Sequence, residues 1–387
     1  MGIVRGWGET ISILSIAAPT EHYGTLHSWS AMKLSLHDLL TGSDQNQSVQ
    51  VHSSPPIHAR IIKPRKSKRR LSLALQGGGS FGAFTWGVLD RLLDENDLVL
   101  DAVSGASAGA VNGVLLASGL SEGGRTAAQQ RLERFWQRAS DTAPRAQSGP
   151  ALAMATSVLS PYQFNPFNLN PLRSLLASEI DFDTLRAKPS VRLLIGATRV
   201  RDGKLHIFRE KALTLDAVLA STCLPVFHHA VSIDGEAYWD GGYSANPPLI
   251  PLVTASRAPE ALIVQIMPTT GAEMPTTLSE ITKRMEQITF NSSLLRDLDA
   301  LAAMRTLSNV ETGGSNLSRK LQNLRLHHIA AETEYPLLSQ SSALNLDWPF
   351  LLQLRDAGQA AADRWLSGKA DADVSLAAVA EPAPARE

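Results

Sequence analysis

The stretch LVLDAVSGASAGAVNGVLL, residues 98–116, decides the fold of this chain. Residues 98–103 are mostly apolar, and a second apolar run extends from Ala110 to Leu116. Between the two runs stands Gly105-Ala106-Ser107-Ala108-Gly109. A strand, a sharp turn with a serine at its apex and a helix together form a nucleophile elbow. Small residues beside the serine allow the turn, and the free N–H groups that begin the helix point at the reacting centre.

This pattern predicts that Ser107 attacks an acyl carbon, as the nucleophile of a serine hydrolase does. A G-x-S-x-G pattern also arises by chance in loops of small residues, where it is only a structural turn. The other motifs of the chain have to decide between these two interpretations.

The composition restricts the function classes that remain. The chain has 387 residues, enough for one large domain or two ordinary ones, and 44% of them are apolar, which allows a sizeable core. Its formal net charge of −1 gives no overall field that would favour nucleic acid or acidic partners. The single cysteine, Cys223, excludes an intramolecular disulfide and a four-cysteine metal site.

The chain shows no clear membrane or export signal. No stretch reaches the ~18 apolar residues that a spanning helix needs. The mildly apolar segment from Ile11 to Ala18 is interrupted by serines and lacks a clear small-residue cleavage site, so a secretory signal is not expected. We expect a cytoplasmic protein, with peripheral contact to a membrane surface as an open option.

Residues 1–70 are interpreted as a flexible extension, because they are polar and show no sustained hydrophobic period. They end in a basic cluster that runs from Arg60 to Arg70. A solvated linker is the favoured interpretation of this cluster, and attraction to anionic lipid headgroups is the alternative. Residues 367–387 are expected to be a disordered tail.

Strands and helices alternate from Leu71 onward, which predicts an α/β sheet covered on both faces. Residues 141–172 are rich in Pro, Asn and Ser and are expected to be a long surface excursion, a candidate lid or entrance loop. The strands are predicted at residues 71–75, 98–103, 191–197, 205–208, 231–233, 261–267 and 324–330. The helices are predicted at residues 83–93, 108–118, 127–138, 215–221, 277–307 and 349–366.

A glycine-rich loop, Gly77-Gly78-Gly79, lies between the first strand and the first helix. Such a loop exposes several backbone N–H groups in one concavity, which suits an oxyanion or a phosphate. With Gly82 it also matches the dinucleotide pattern G-x-G-x-x-G, which expects an acidic residue ~20 positions later at a strand end. Asp101 is at a plausible distance, but it precedes the end of its strand, and the strand end leads into the serine turn. The acidic residue that a dinucleotide site would need at the strand end is therefore replaced by a serine turn.

A third motif is Tyr238-Trp239-Asp240-Gly241-Gly242, which follows a short strand. By itself, Asp-Gly is an ordinary hairpin turn. Together with the serine, Asp240 becomes a candidate general base, because a carboxylate can activate a serine if burial raises its pKa toward neutrality.

These three motifs, in this order, resemble the patatin-like phospholipase family, and specifically a bacterial subgroup of it. Two further segments agree with the family's pattern: Ala220 to Pro225, and Asn246-Pro247-Pro248. The resemblance covers about residues 71–335, taken as an acyl hydrolase domain. Residues 336–366 are then expected to be a C-terminal helical segment packed on this domain.

The resemblance implies a three-layer α/β/α fold with a central, mostly parallel sheet and a nucleophile elbow. It implies lipid acyl hydrolysis through a Ser107–Asp240 dyad, without a metal or a cofactor. The implied oxyanion hole consists of Gly77, Gly78, Gly79 and Ala108. The remaining motif positions are Gly82, Gly105, Gly109, Gly241 and Gly242.

Two residues depart from the family's pattern. Phe81 stands where many members have Arg or Lys, which removes a positive charge near the oxyanion loop. Cys223 replaces a small residue and is expected to be a buried structural thiol.

Two alternatives stay open at this point. One is a Ser–Asp–His esterase that uses His327 or His328. The other is a non-catalytic lipid- or nucleotide-binding regulator. The expected partner is a lipid or another acyl ester, with no nucleic acid, and the oligomeric state is left open. Phospholipid, lysophospholipid, neutral lipid and storage polyester all fit, and Phe164, Phe167 and Leu169 are either an acyl-chain entrance or core residues.

Overall fold

The computed structural model describes residues 68–142, 159–271, 274–310, 315–339 and 341–368. The expectations for residues 1–67, for residues 143–158 of the surface excursion and for residues 369–387 of the tail lie outside these ranges. Among the described residues, no helix has the length and apolar character that crossing a membrane requires.

The described residues form one eight-stranded sheet with the order β5-β6-β3-β2-β1-β7-β8, in which β4 also pairs with β3. The strands β3, β2, β1, β7 and β8 are parallel, whereas β4 and β6 run antiparallel to β3. The strands are β1 (Arg69–Leu75), β2 (Leu98–Gly105), β3 (Arg192–Arg199), β4 (Leu205–Phe208), β5 (Val231–Ile233), β6 (Glu236–Asp240), β7 (Glu260–Gln265) and β8 (Arg325–Ala330). The predicted mostly parallel α/β sheet is confirmed.

Helices cover the sheet and connect its strands. They are α1 (Gly82–Leu93), α2 (Ala108–Thr142), α3 (Pro161–Phe164), α4 (Pro171–Glu179), α5 (Phe182–Ala187), α6 (Leu215–Ser221), α7 (Leu249–Ala255), α8 (Leu278–Val310), α9 (Asn316–Asn323), α10 (Ala331–Glu334) and α11 (Trp348–Leu366). The two helices predicted at residues 108–118 and 127–138 are both present within α2. They are separated at Gly124, whose φ of 76° and ψ of −155° are not helical.

The alternation of side chains along β1 explains why the sheet lies between two helical layers. Leu71, Leu73 and Leu75 belong to the larger apolar core, which α1, α2 and α11 cover. Ala74 belongs to a second core, formed with side chains of α7, α8 and α9. Because successive side chains of a strand point to opposite faces, one strand supplies both cores, and the expected three-layer α/β/α fold is confirmed.

The C-terminal helix α11 packs against α1 at backbone distance. A Cβ atom at Gly358 of α11 would collide with the carbonyl oxygen of Phe84, and one at Gly87 of α1 would collide with the carbonyl oxygen of Arg355. The ring of Trp86 stacks on that of Trp348, with ring centroids 5.9 Å apart. The two glycines therefore set how closely these helices approach.

We expect Gly358→Ala to destabilise the protein by roughly 1–3 kcal/mol, because the added methyl group overpacks the contact between α1 and α11. At an unhindered helical position the same change would stabilise by about 1 kcal/mol through helix propensity. Urea unfolding measures the difference in the free energy of unfolding. Ala360→Gly, at an exposed position of α11, is the control for propensity. A Gly358→Ala variant as stable as wild type or more so would show that the two helices separate readily.

Candidate active site

The serine turn joins the carboxyl end of β2 to the start of α2. Ser107 has a φ of 53°, a left-handed conformation that is uncommon for a residue other than glycine. A Cβ atom at Gly105 would lie 2.5 Å from the carbonyl carbon of Gly109, and one at Gly109 would collide with the carbonyl oxygen of Leu75. The glycines at these two positions therefore permit a turn that side chains would block, and Ser107 is left 7% exposed at its apex.

The end of α6 holds this strained turn in place. The N–H of Ser107 donates to the carbonyl oxygen and to Oγ of Ser221, at 3.1 Å in both cases. Ser221 Oγ in turn donates to the carbonyl oxygen of Gly196, at 2.6 Å. The sequence marked the segment that contains Ser221 but gave no role to this residue, since the contact joins distant parts of the chain. Such bonds can maintain a backbone conformation that would be unfavourable by itself.

Asp240 ends β6, and its carboxyl group is fully buried. Its Oδ1 accepts a hydrogen bond from the N–H of Gly242 at 2.7 Å, and its own N–H donates to the carbonyl oxygen of Cys223 at 2.8 Å. Within the described residues, Oδ2 has no partner of ordinary hydrogen-bond geometry. The carboxylate is thus fixed on one side and open on the other.

The structure brings Ser107 and Asp240 together. Burial raises the pKa of Asp240 to about 7, and weaker hydrogen-bond interactions with the Ser107 side chain and the Gly242 N–H act in the opposite direction. Since Oδ2 lacks an ordinary partner, the Ser107 hydroxyl is close to the carboxyl in a looser geometry. Loose catalytic hydrogen bonds are common in enzymes without substrate. A carboxyl group with a pKa near neutrality can both accept and return a proton.

The glycine loop lies against the serine. A Cβ atom at Gly77 would lie 2.6 Å from Cβ of Ser107, so the two backbones touch. The N–H groups of Gly78, Gly79 and Ala108 donate no hydrogen bond to another described residue. They are therefore free to bind an oxyanion, and Ala108 is also the first residue of α2, where the helix dipole is positive.

Gly77 differs from the expectation that it contributes to the oxyanion hole. Its N–H donates to Oδ1 of Asn246 at 2.6 Å, so this donor is already used. The Nδ2 of Asn246 donates back to the carbonyl oxygen of Gly77 at 3.0 Å and to that of Phe290 at 3.2 Å. Gly77 therefore anchors the loop, while Asn246 is a positioning residue that the sequence offered only as part of a motif.

A second buried amide extends this anchor. Gln76 Oε1 accepts hydrogen bonds from the N–H groups of Ile266 and Met267, at 2.8 Å each, and its Nε2 donates to Asn291 Oδ1 at 2.9 Å. The end of β1, the segment after β7 and helix α8 are thereby joined directly behind the glycine loop. The position of Gln76 next to the glycines was its only signal in the sequence.

The remaining motif glycines allow close packing around the site. A Cβ atom at Gly82 would lie 2.8 Å from Cβ of Ala108, and one at Gly241 would lie 3.0 Å from Cβ of Ala106. Gly242 is pressed against the ring of Phe290 on α8. The glycine loop, the elbow and the segment after Asp240 therefore meet at backbone distance.

The histidines do not complete a triad. His328 Nε2 pairs with Gln265 Oε1 at 2.7 Å, and burial lowers the pKa of His328 to about 4. His327 Nε2 lies 2.9 Å from Glu260 Oε2. Both histidines are on β8, which is three strands from β2 in the sheet and so ~14 Å away. This geometry favours the dyad over the histidine alternative.

The two departures from the family pattern are both buried. Phe81 packs edge to face on Phe350 of α11, with ring centroids 6.4 Å apart. The thiol of Cys223 donates to the carbonyl oxygen of His229, and burial raises its pKa to about 12. Both side chains are therefore held by contacts in the interior of the protein.

The family model for patatin-like phospholipases matches residues 73–253. This range contains the glycine loop, the serine elbow and Asp240 with its supporting asparagine. Residues 73–253 are therefore similar to a patatin-like phospholipase domain. This similarity supports lipid hydrolase activity.

No curated protein matches the chain in sequence. Among solved structures, the chain is similar to VipD from Legionella pneumophila, with 16% identity, 76% of this chain and 67% of that chain covered, and a TM-score of 0.34. It is also similar to a chain of the ExoU–SpcU heterodimer from the type III secretion system of Pseudomonas aeruginosa. In that case the identity is 16%, the coverage is 78% of this chain and 76% of that chain, and the TM-score is 0.28. Scores this low say nothing about the activity of the patatin-like domain.

The buried carboxyl of Asp240 makes a prediction about stability. Because the pKa of Asp240 in the folded state, about 7, lies above its ordinary value of 3.8, the native protein binds more protons than the unfolded chain between these values. The contribution of Asp240 to stability is therefore lost as pH rises from about 4 to about 7. We expect Asp240→Asn to lack this loss, so that its stability relative to wild type increases over this interval, by at most about 4 kcal/mol.

Urea unfolding of both proteins at several pH values measures this effect, because other carboxyl groups contribute equally to both and cancel in the difference. Ser104→Ala, a change at a buried serine near the site, is the control for altering the interior. A difference between Asp240→Asn and wild type that stays constant with pH would contradict a raised pKa of Asp240.

Proposed function

We propose that the protein is a serine acyl hydrolase that cleaves carboxylic ester bonds of lipids through Ser107 and Asp240. The observation that carries this proposal is the meeting of a strained, nearly buried serine with a buried carboxyl group whose pKa is raised to about 7. Neither feature benefits folding: the left-handed serine costs free energy, and so does an incompletely bonded carboxylate. Such features cluster where chemistry takes place.

In the proposed mechanism, Asp240 removes the proton from Ser107 as Oγ attacks the ester carbonyl carbon. The N–H groups of Gly78, Gly79 and Ala108 hold the negative charge that develops on the carbonyl oxygen. When the C–O bond breaks, Asp240 returns its proton to the departing alcohol, and the acyl group stays on Ser107. Asp240 then deprotonates a water molecule that attacks the acyl-enzyme, and the same proton restores the serine as the fatty acid leaves.

The surface of α8 supports a lipid as the source of the ester. Five of its exposed apolar side chains recur at intervals of three, four or seven positions and so lie on one face: Leu278, Ile281, Met285, Ile288 and Leu295. Leu278 is 81% exposed and Met285 63%. Phe290, which packs on Gly242, lies about 160° around the helix from Ile288. One side of α8 thus supports the segment after Asp240, and the opposite side presents an apolar stripe to solvent.

A second apolar patch is connected to Asp240 through a separate set of contacts. Phe167 is 84% exposed and Leu169 70%, so these residues are not part of the core. They follow Tyr162, whose ring stacks on His229 with centroids 4.0 Å apart. The carbonyl oxygen of His229 accepts a hydrogen bond from the thiol of Cys223, and the carbonyl oxygen of Cys223 accepts one from the N–H of Asp240. Two exposed apolar patches, each connected to the site by packing or hydrogen bonds, suit a lipid surface, and we propose peripheral contact with a membrane through them.

The catalytic assignment is tested by ester hydrolysis and by labelling with a fluorophosphonate probe. We expect Ser107→Ala to lose labelling and at least about a thousandfold in kcat, and Asp240→Asn to lose about a hundredfold or more, because nucleophile and base act as one unit. For wild type, kcat/KM should rise with pH and level off above the pKa of about 7, since Asp240 acts as a base.

Ser104→Ala, at a buried serine three positions before Ser107, and His328→Ala are the controls, and both should retain activity. A folded His328→Ala variant without activity would overturn the dyad in favour of a triad. Absence of labelling in wild type, while a control hydrolase is labelled, would favour a non-catalytic lipid-binding role.

The role of the α8 stripe is tested with two substrates. We expect Met285→Glu combined with Ile288→Glu to lower hydrolysis of phospholipid vesicles by about tenfold or more, because charge disfavours entry into the lipid interface. Hydrolysis of a soluble short-chain ester should change by less than about twofold, since both side chains are exposed on the side of α8 away from Phe290. Ser279→Glu, which is exposed and lies 180° around α8 from Ile288, adds charge to the same helix and is the control. Equal vesicle rates for the stripe variant and wild type would show that α8 does not contact lipid.

A further inference from the structure

A cavity of about 670 Å³ opens at the amino ends of β1, β7 and β8. Its charged and aromatic lining consists of Lys68, Arg69, Arg70, Glu260, Arg325, His327 and Trp365. This volume is within the range of small-molecule sites, about 300–1,000 Å³. The lining contains four cations and one carboxylate, although the chain as a whole has a net charge of −1. Positive charge is therefore concentrated here.

The single carboxylate organises the cations around it. Arg69 donates to Glu260 Oε2 from Nε at 3.0 Å and from Nη2 at 2.6 Å, and Arg325 donates to Oε1. Burial raises the pKa of Glu260, but the arginines and His327 outweigh this effect, so the net shift is downward and the group stays ionised at neutral pH. One negative charge is thus shared by two arginines, and positive charge remains uncompensated.

With respect to the described residues, both arginines keep donors for a ligand. Each guanidinium has more N–H groups than its bonds to Glu260 use, and the Arg325 side chain is 59% exposed. The guanidinium of Arg69 lies over the ring of Trp365, 4.5 Å from its centroid, which restricts its orientation. Fixed guanidinium groups bind phosphate oxygens in pairs, a geometry that a lysine ammonium does not provide.

The positive surface continues beyond the cavity. Pro259 also lines a neighbouring cavity of about 360 Å³, whose charged lining residues are Arg257, Arg319 and Lys320, with no carboxylate. This region lies at the amino edge of the parallel strands, whereas Ser107 and the glycine loop follow their carboxyl ends. The seven residues of β1 separate the two edges by about 20 Å. A ligand bound here does not touch Ser107, and one flat membrane does not cover both edges.

We propose that this cavity binds a phosphorylated ligand at a site separate from the candidate active site. The ligand carries one or more phosphate groups that pair with Arg325, Arg69 and Lys68. The end of the basic cluster seen in the sequence, Lys68 to Arg70, thereby has a specific role in place of general attraction to a membrane beside the active site. Both a soluble phosphate compound and a phospholipid headgroup supply this chemistry.

Isothermal titration calorimetry with inorganic tripolyphosphate at about 0.15 M NaCl tests the site on the full chain, at an ionic strength that screens weak surface attraction. We expect wild type to bind with one ligand per chain. Arg325→Gln should weaken binding by about tenfold or more and Lys68→Gln by a smaller factor, because each removes a charged donor. Arg201→Gln is the matched control, since Arg201 is an exposed arginine that also pairs with a glutamate.

Three results decide the proposal. Tripolyphosphate binding that Arg325→Gln weakens and Arg201→Gln leaves unchanged supports a site for a soluble phosphate compound. Binding only to vesicles that contain phosphatidate, with the same dependence on Arg325, supports the headgroup. No binding of either probe by wild type, or equal effects of the two arginine variants, overturns the site.

Thermal melting checks that the Arg325→Gln variant is folded. If that variant is unfolded, the effect of Lys68→Gln on tripolyphosphate binding decides whether the site exists. The same titration on Ser107→Ala should give the wild-type affinity, so failure of the proposed catalytic function leaves this test intact.

Discussion

The burial of the Asp240 carboxyl group is the constraint on which the rest of the site depends. A carboxylate in water would be too weak a base to activate a serine at neutral pH, and one with a complete set of hydrogen bonds would be weaker still. Asp240 has one bond, from Gly242, and an oxygen without an ordinary partner in the described part of the chain. The fold maintains an unfavourable environment for this carboxylate and so holds its pKa near 7.

Maintaining that environment requires the surrounding backbone to be rigid, and buried amide side chains provide the rigidity. Asn246 comes shortly after Asp240 and holds both polar groups of Gly77, so the segment that follows Asp240 is bonded directly to the glycine loop. Gln76 ties the same loop to Asn291 of α8. Fully bonded buried networks of this kind fix a single arrangement, which suits a site where donors must be placed before charge develops.

Much of the fold could be predicted because its signals are local. The apolar strands, the glycines after β1 and the small residues around Ser107 each act over a few neighbouring positions. The structure places the seven predicted strands within a few residues of their predicted limits, whereas β6, which ends at Asp240, was not predicted. The separation of residues 108–118 and 127–138 into two helices could also be predicted, because glycine disfavours a continuous helix, and the break falls at Gly124. Short helices such as α7 and α9 were missed because they depend on packing against the sheet.

In the candidate site, too, local features could be predicted and long-range contacts could not. Sequence motifs brought Ser107, Asp240 and the glycine loop together, but they could not show that the N–H of Gly77 is already used, since its acceptor is 169 positions away in the chain. The support of Ser107 by Ser221 spans 114 positions. Long-range hydrogen bonds leave no periodic pattern in a sequence, so only the folded structure separates the donors that are free from those that are occupied.

The positions of the cations are consistent with the raised pKa of Asp240. A cation close to a buried carboxylate would stabilise its ionised form and lower its pKa, whereas a unit charge about 20 Å away contributes less than about 1 kcal/mol at an effective dielectric constant of about 20. Among the described residues, the charge that acts on Asp240 is that of Glu286, which raises its pKa by less than burial does. Phe81, buried against Phe350, keeps the glycine loop free of the cation that many patatin-like proteins have at this position. The cations from Lys68 to Arg70 lie at the far edge of the sheet, too far from Asp240 to lower its pKa by much.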